Sequence, residues 1–217
     1  MALKTLSQSK RRLSAVLNDS QRCDLVEAMA QDVISCLMTH PEIDTVHAVC
    51  GEGWSRNAFP EGPLMVWQEA EKQEDGLIAA YEMISAKTAA ERLLFIHADL
   101  PFLGREDISA LIAASRDHHA VLSPDLIETG TNAVLRWRHQ SLPLCFGEDS
   151  FARHQHAAKA TETPWRVVRA SGVARDLDEP DDLGRLDGND PRLGEATARW
   201  SADAGVNLSL SATHQAC

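Results

Sequence analysis

Short apolar runs alternate along this chain with longer stretches whose apolar residues recur at helical spacing. Leu13 to Leu37 carries Leu17, Leu25, Met29, Val33 and Leu37 at intervals of four or eight, the stripe of a helix. Thr45 to Cys50 (TVHAVC) reads as a short buried strand, and Gly76 to Ala86 as a helix. Leu93 to Ala98 (LLFIHA) is a second strand that stops at Asp99-Leu100-Pro101. Glu106 to Ala114 is helical, Ala120 to Ser123 is a strand ended by Pro124-Asp125, and Ala133 to Trp137 is another strand. Phe151 to Ala160 reads as a helix, Trp165 to Arg169 as a strand, and a further helix starts near Pro180.

Alternation at this spacing predicts crossover units in one α/β domain, a mostly parallel mixed sheet flanked by helices. In such sheets ligands bind beyond the carboxyl ends of the strands, so Asp99, Pro124-Asp125 and the segment around Asp176 are expected on one rim. From Asp187 onward strand patterning gives way to polar sequence. The expected division is a domain over residues 1–186, then a peripheral helix and loose polar tail over 187–217.

Composition narrows the function classes. With 217 residues, 44% hydrophobic and 24% charged, the chain suits one substantial globular domain. No apolar run is long enough to span a bilayer, and the basic N-terminus lacks the apolar core of a secretory signal. The five cysteines, Cys23, Cys36, Cys50, Cys145 and Cys217, are scattered without a C-x-x-C pair. That argues against disulfides and zinc, makes most of them small core residues, and fits a reducing cytoplasm. A net charge of −11 excludes nucleic acid as an expected partner. Yet Lys4, Lys10, Arg11 and Arg12 cluster at the start of this acidic chain. On charge alone a solvated helix start is the simpler explanation; a local anion site is the other.

Three constellations carry possible chemistry. Asp99 follows an apolar strand, and Asp176 and Asp178 lie in R-D-L-D-E-P-D-D-L just before a helix start. Pro180 with Asp181 and Asp182 is ordinary helix-start chemistry, which leaves Asp178 free to face the rim. Asp99 and Asp178 converging there would make a hard-oxygen site suited to Mg²⁺; a strand-end cap and a turn residue are the plain alternative. Thr129-Gly130-Thr131-Asn132 reads as an inter-strand loop able to bind an anion or simply to turn. In Phe146-Gly147-Glu148-Asp149-Ser150-Phe151-x-x-His154, Ser150 is placed at a helix N-cap, a position that favours carboxylate or phosphate.

Together these residues resemble the 2-phospho-L-lactate guanylyltransferase family of coenzyme F-420 biosynthesis. The similarity rests on Lys4-x5-Lys10-x-Arg12-Leu13, Asp99-Leu100-Pro101, Pro124-Asp125 with Gly130-Thr131-Asn132, the Phe146 to His154 segment, and Asp176-Leu177-Asp178-x-Pro180-x-Asp182-Leu183. They fall in family order across residues 1 to 186. The resemblance implies a single-domain GT-A-like nucleotidyltransferase that joins GTP to a small phosphorylated acid and releases pyrophosphate. The acid would be 2-phospholactate, phosphoenolpyruvate or 3-phosphoglycerate. It also implies that Lys4, Lys10 and Arg12 hold the nucleotide phosphates, with Gly76 near the base. Asp99 and Asp178 would hold Mg²⁺, Asp176 being the alternate ligand, and Lys10 would join them in the catalytic set. Thr131, Gly147 and Ser150 would bind the acceptor carboxylate, and a homodimer is compatible with all of this.

The chain departs from the family at several places. Only three residues precede Lys4, Ile78 stands where the family has an amide near the base, His97 replaces a proline, and Glu179 replaces a threonine. His154 is expected on a helix face or behind the site. Arg136 and Arg138, two apart on a strand, are expected as a solvated pair able at most to assist the acceptor. Ile78 keeps open a nucleotidyltransferase for another base, of the molybdenum-cofactor type. A non-catalytic nucleotide-binding relative is the remaining alternative.

Overall fold

The computed structural model describes residues 1–68 and 76–204. The expected loose tail, Cys217 included, lies outside these residues. Five elements form the first part: β1 (Ala2–Leu3), α1 (Asp19–Met38), β2 (Val46–Cys50), β3 (Leu64–Gln68) and α2 (Gly76–Lys87). Then come β4 (Arg92–Ile96), α3 (Arg105–Ala114), β5 (Ala120–Pro124), β6 (Thr131–Trp137), α4 (Ser150–Ala160), β7 (Trp165–Val167) and α5 (Glu195–Asp203).

The strands form two ladders. One is parallel in the order β1-β2-β3. The other runs β4-β6-β5-β7, with β6 antiparallel to both neighbours and β5 parallel to β7. Side chains on β5 and β6 alternate between two cores. Val121, Ala133 and Leu135 face one that includes Met29, Ile34 and Leu111 of α1 and α3. Ala120, Leu122 and Val134 face the other, which includes Tyr81, Phe146 and Phe151. Burial on both faces explains why β5 is apolar without alternation in sequence. None of the described helices is long and apolar enough to cross a membrane.

Several expectations shift. The helix expected from Leu13 begins at Asp19, because Asn18 caps it and exchanges a capping box with Gln21. Leu13 and Leu17 remain fully or nearly buried in the preceding turn, so the apolar stripe is real while the helix is not. Strand β3 was not expected. Its Met65 is 48% exposed and it holds only five residues, so periodicity is faint, and its backbone pairing with β2 defines it. The Pro180 segment is a 3₁₀ turn over Pro180–Arg185 rather than an α-helix. Thr131 and Asn132 open β6 instead of forming a loop, since Asp125 closes the preceding turn with its carboxylate on the Thr129 and Gly130 N–H groups at 2.9 and 2.8 Å. Arg136 is no solvated residue. It is buried, paired with Glu82 at 3.1 Å and bonded to the Leu142 carbonyl, and Arg138 bonds the Ser85 carbonyl; both point away from the rim.

A helix does follow residue 187, and its start is capped from another element. Asp32 on α1 accepts the N–H groups of Ala196 and Thr197, both at 2.8 Å, while Gly194 at the N-cap offers no side chain. Asp32→Ala is expected to lower unfolding free energy by about 1–2 kcal/mol, measured by urea denaturation. An unchanged midpoint would contradict this role.

Candidate active site

Three chain segments meet where β1 and β4 end. After β1 the chain passes so close to the end of β2 that a Cβ on Gly51 would sit 2.5 Å from the Thr5 nitrogen. Trp54 fixes the same loop by donating to the Lys4 carbonyl at 2.8 Å. The loop then delivers Lys10, whose backbone is left-handed at φ 52°. Asp99 follows β4 after two residues. Leu177 N–H donates to the Asp99 carbonyl at 3.2 Å and draws the Asp176–Asp178 segment onto that strand end. Asp182 then accepts the Asp178 and Glu179 N–H groups at 2.9 and 2.8 Å, which sets the direction of Asp178.

Lys10 Nζ binds both Asp99 Oδ2 and Asp178 Oδ1, with its own side chain only 9% exposed. Burial would lower the Lys10 ammonium, but the charges of Asp99 and Asp178 outweigh it and hold the group above its ordinary value. Burial likewise works to raise Asp99, and Lys10 overcomes it, holding this carboxyl down to about 2. Asp176 is raised to about 6 by burial and by the charges of Asp99 and Asp178, with Asn132 Nδ2 donating to it at 3.2 Å. One ammonium thus bridges two carboxylates, and the third carboxyl, Asp176, feels the charge of both. Asp99 Oδ1 is shielded from solvent and has no hydrogen-bond partner.

These residues line a cleft of about 520 Å³. Its lining includes Lys4, Lys10, Arg12, Asp99, Asp176 and Asp178 together with Thr131, Gly147 and Ser150. Nearly every residue singled out from the sequence is thereby brought to one place. Gly76 is the exception: it starts α2 with φ 48°, and its neighbour Leu77 reaches the cleft instead. Arg12 extends outward, 71% exposed, to an ion pair with Glu179 at 2.7 Å. Asn132 and Asp182 stand in the sequence motifs, but no local pattern announces their partners: Asn132 donates to Asp176, 44 residues on, and Asp182 holds the backbone of Asp178, four residues back. A second cavity of about 380 Å³, between β2 and β4, contains none of these residues.

The part of the cleft formed by Thr131, Gly147 and Ser150 is built around buried hydrogen bonds. Ser150 is not the N-cap. Asp149, in a left-handed conformation, takes that place, and Ser150 is the first helical residue. Its Oγ accepts the Thr131 N–H at 2.8 Å. Gly147 turns the chain into α4 with φ 114°, a conformation costly for any residue with a side chain. His154, fully buried, lies behind Thr131 and Ser150 and not on an open helix face. Burial pushes its imidazole down to about 4, against a weaker raising effect of the Ser150 carbonyl.

At the Lys10 end one ammonium is tied to two carboxylates, a mixed-charge group able to engage a cation or a phosphate, and the Thr131 and Ser150 hydroxyls offer polar groups to a second ligand. This α/β architecture is that of the GT-A-like nucleotidyltransferases. A protein of known structure from Desulfovibrio desulfuricans G20 aligns over 94% of both chains with TM-score 0.70 and 14% identity. The 4-diphosphocytidyl-2C-methyl-D-erythritol synthase of Anaerococcus prevotii aligns over 83% of this chain and 91% of its own with TM-score 0.56 and 13% identity. The family described as guanylyl transferase, CofC like, matches residues 1–195, and the chain belongs to it. Among relatives, the phosphoenolpyruvate guanylyltransferase of Sphaerobacter thermophilus is 33% identical, covering 86% of this chain and 90% of that one. The 2-phospho-L-lactate guanylyltransferase of Haloarcula marismortui is 30% identical over 94% and 91%. The 3-phospho-D-glycerate guanylyltransferase of Phenylobacterium zucineum is 29% identical over 80% and 82%.

His154 generates a pH prediction. Its folded-state value lies below the ordinary 6.5, so its contribution to stability is complete above pH 6.5 and is lost as pH falls toward 4. Wild-type stability should drop by up to roughly 3 kcal/mol across this window through His154 alone. His154→Gln should lack that component. Identical pH slopes for the two proteins in chemical denaturation would contradict the assignment.

Proposed function

We propose that this protein transfers GMP from GTP to the phosphate of a small three-carbon acid, releasing pyrophosphate. The acid is phosphoenolpyruvate, 2-phospholactate or 3-phosphoglycerate, and the reaction belongs to cytoplasmic coenzyme F-420 biosynthesis. The observation that carries this reading is Lys10 bridging Asp99 and Asp178 inside the cleft of a guanylyltransferase-family chain.

An acceptor phosphate oxygen attacks the α-phosphorus of GTP, a new P–O bond forms, and the bond to the β-phosphate oxygen breaks. The attacking group is already ionised, so neither a protein nucleophile nor a general base is needed. Charge and alignment are the problem. Lys10, with Lys4 and Arg12 on the same loop, offsets triphosphate charge within an acidic chain. Thr131, Gly147 and Ser150 hold the acceptor's carboxylate, which orients its phosphate toward the nucleotide.

The carboxylates also suit a divalent cation. Among the described residues no group of three or more His, Cys, Asp or Glu is arranged as a complete metal cage. Mg²⁺ does not require one, because it is commonly held by one or two carboxylates with substrate phosphates and water. The shielded, unpartnered Oδ1 of Asp99 supplies a free hard-oxygen ligand. Asp99 and Asp178 would hold the ion, with Asp176 as the alternate, and the ion would stabilise charge on the transferring phosphoryl group. Base selection has no assigned side chain, because Ile78 packs toward the second core. That observation favours, as a second reading, transfer from a nucleotide with another base.

Asp99→Asn keeps the shape of the side chain and removes its charge. It should fold normally and lower kcat by a factor on the order of 10³ in a pyrophosphate-release assay with Mg²⁺. Near-normal turnover would refute the metal and charge assignment. Thr131→Ala and Ser150→Ala should each raise the acceptor KM about tenfold while leaving the KM for GTP alone. Acceptor kinetics unaffected by both changes would place the carboxylate elsewhere.

A further inference from the structure

A neutral imidazole has one donor nitrogen and one acceptor nitrogen, and its neighbours decide which is which. At His154 the neighbours leave no choice. The Cys145 backbone N–H donates to Nε2 at 2.9 Å. A backbone N–H cannot accept, so Nε2 is unprotonated and the proton sits on Nδ1. Nδ1 lies 2.8 Å from the Ser150 carbonyl and 3.1 Å from Thr131 Oγ1. The single Nδ1 proton is shared between that carbonyl and the more distant Thr131 Oγ1, and a protonated Nδ1 has no lone pair, so Thr131 cannot spend its own proton there. The same bookkeeping applies to Ser150, whose Oγ already accepts from the Thr131 N–H at 2.8 Å. Among the described residues neither hydroxyl donates to a protein acceptor, and both residues line the cleft floor.

We propose that His154 is a positioning residue that sets the polarity of the acceptor pocket, holding the Thr131 hydroxyl as a donor into the cleft beside that of Ser150. Each hydroxyl takes a hydrogen bond from behind and offers its own proton forward, which matches the two oxygens of a carboxylate. A pocket of fixed donors in a desolvated floor favours an acceptor-only group and disfavours one that must itself donate. This inference rests on the reading of Thr131, Gly147 and Ser150 as the acceptor pocket. It goes further by naming the buried residue that makes the pocket selective for an anion.

The test is the acceptor KM against the GTP KM in two complementary variants. His154→Asn can keep a donor near the Nδ1 position, and His154→Gln can keep an acceptor near Nε2 while losing that donor. His154→Gln should raise the acceptor KM tenfold or more with the GTP KM unchanged, because the Thr131 proton is then free to turn inward. His154→Asn should stay within about threefold of wild type. Equal increases in both KM values for His154→Gln, or no increase, would overturn the proposal. Should His154→Gln fail to fold, the tautomer of the wild-type protein decides the question. Nitrogen NMR of His154 in the intact protein reads the tautomer without turnover. A protonated Nδ1 with a bare Nε2 is expected, and the reverse tautomer overturns the proposal even in an active enzyme. Absence of turnover on all three acids would instead defeat the functional reading and leave the tautomer result standing.

Discussion

Lys10 between Asp99 and Asp178 is the contact on which the rest of this site depends. Two carboxylates from segments far apart in sequence would repel one another in a partly buried cleft, and the ammonium converts that repulsion into a tie. The tie costs desolvation of Lys10, which the charges of Asp99 and Asp178 offset. Much of the surrounding structure serves to deliver that ammonium. Gly51 allows the N-terminal loop to approach β2, Trp54 fixes its carbonyl, and Lys10 itself adopts a left-handed backbone.

The Thr131 and Ser150 side of the cleft meets a different requirement. A small acid must be held by groups that recognise a carboxylate without adding formal charge beside the nucleotide. In the proposed reaction, hydroxyls backed by a buried histidine would do this, and burial pushes the His154 imidazole down to about 4, which favours its neutral form. Under the proposed function, charged groups at one part of the cleft and neutral donors at another would give it the direction that alignment of two anionic substrates requires.

Much of the fold was legible because its signals are local. Strand ends at Asp99 and Pro124-Asp125, the helix at Gly76 and the rim shared by distant carboxylates all follow from apolar runs closed by turn residues. The boundaries that moved did so through side chains that periodicity does not see, such as Asn18 capping α1 and Asp149 displacing Ser150 from the cap. Strand β3 escaped because an exposed Met65 hides a strand defined by backbone pairing. Arg136 escaped because its partner, Glu82, lies on a helix that only the folded chain brings near. At the site, residue types and order marked Lys10, Asp99 and Asp178, while the connections among Asn132, Asp176, His154 and Cys145 exist only in three dimensions.

The most direct test of the account is pyrophosphate release by the full chain with Mg²⁺, each of the four ribonucleoside triphosphates, and each of the three phosphorylated acids. Release is expected to require an acid and to be fastest with GTP. Comparable or faster release with CTP, ATP or UTP, or release at the same rate without any acid, would contradict it.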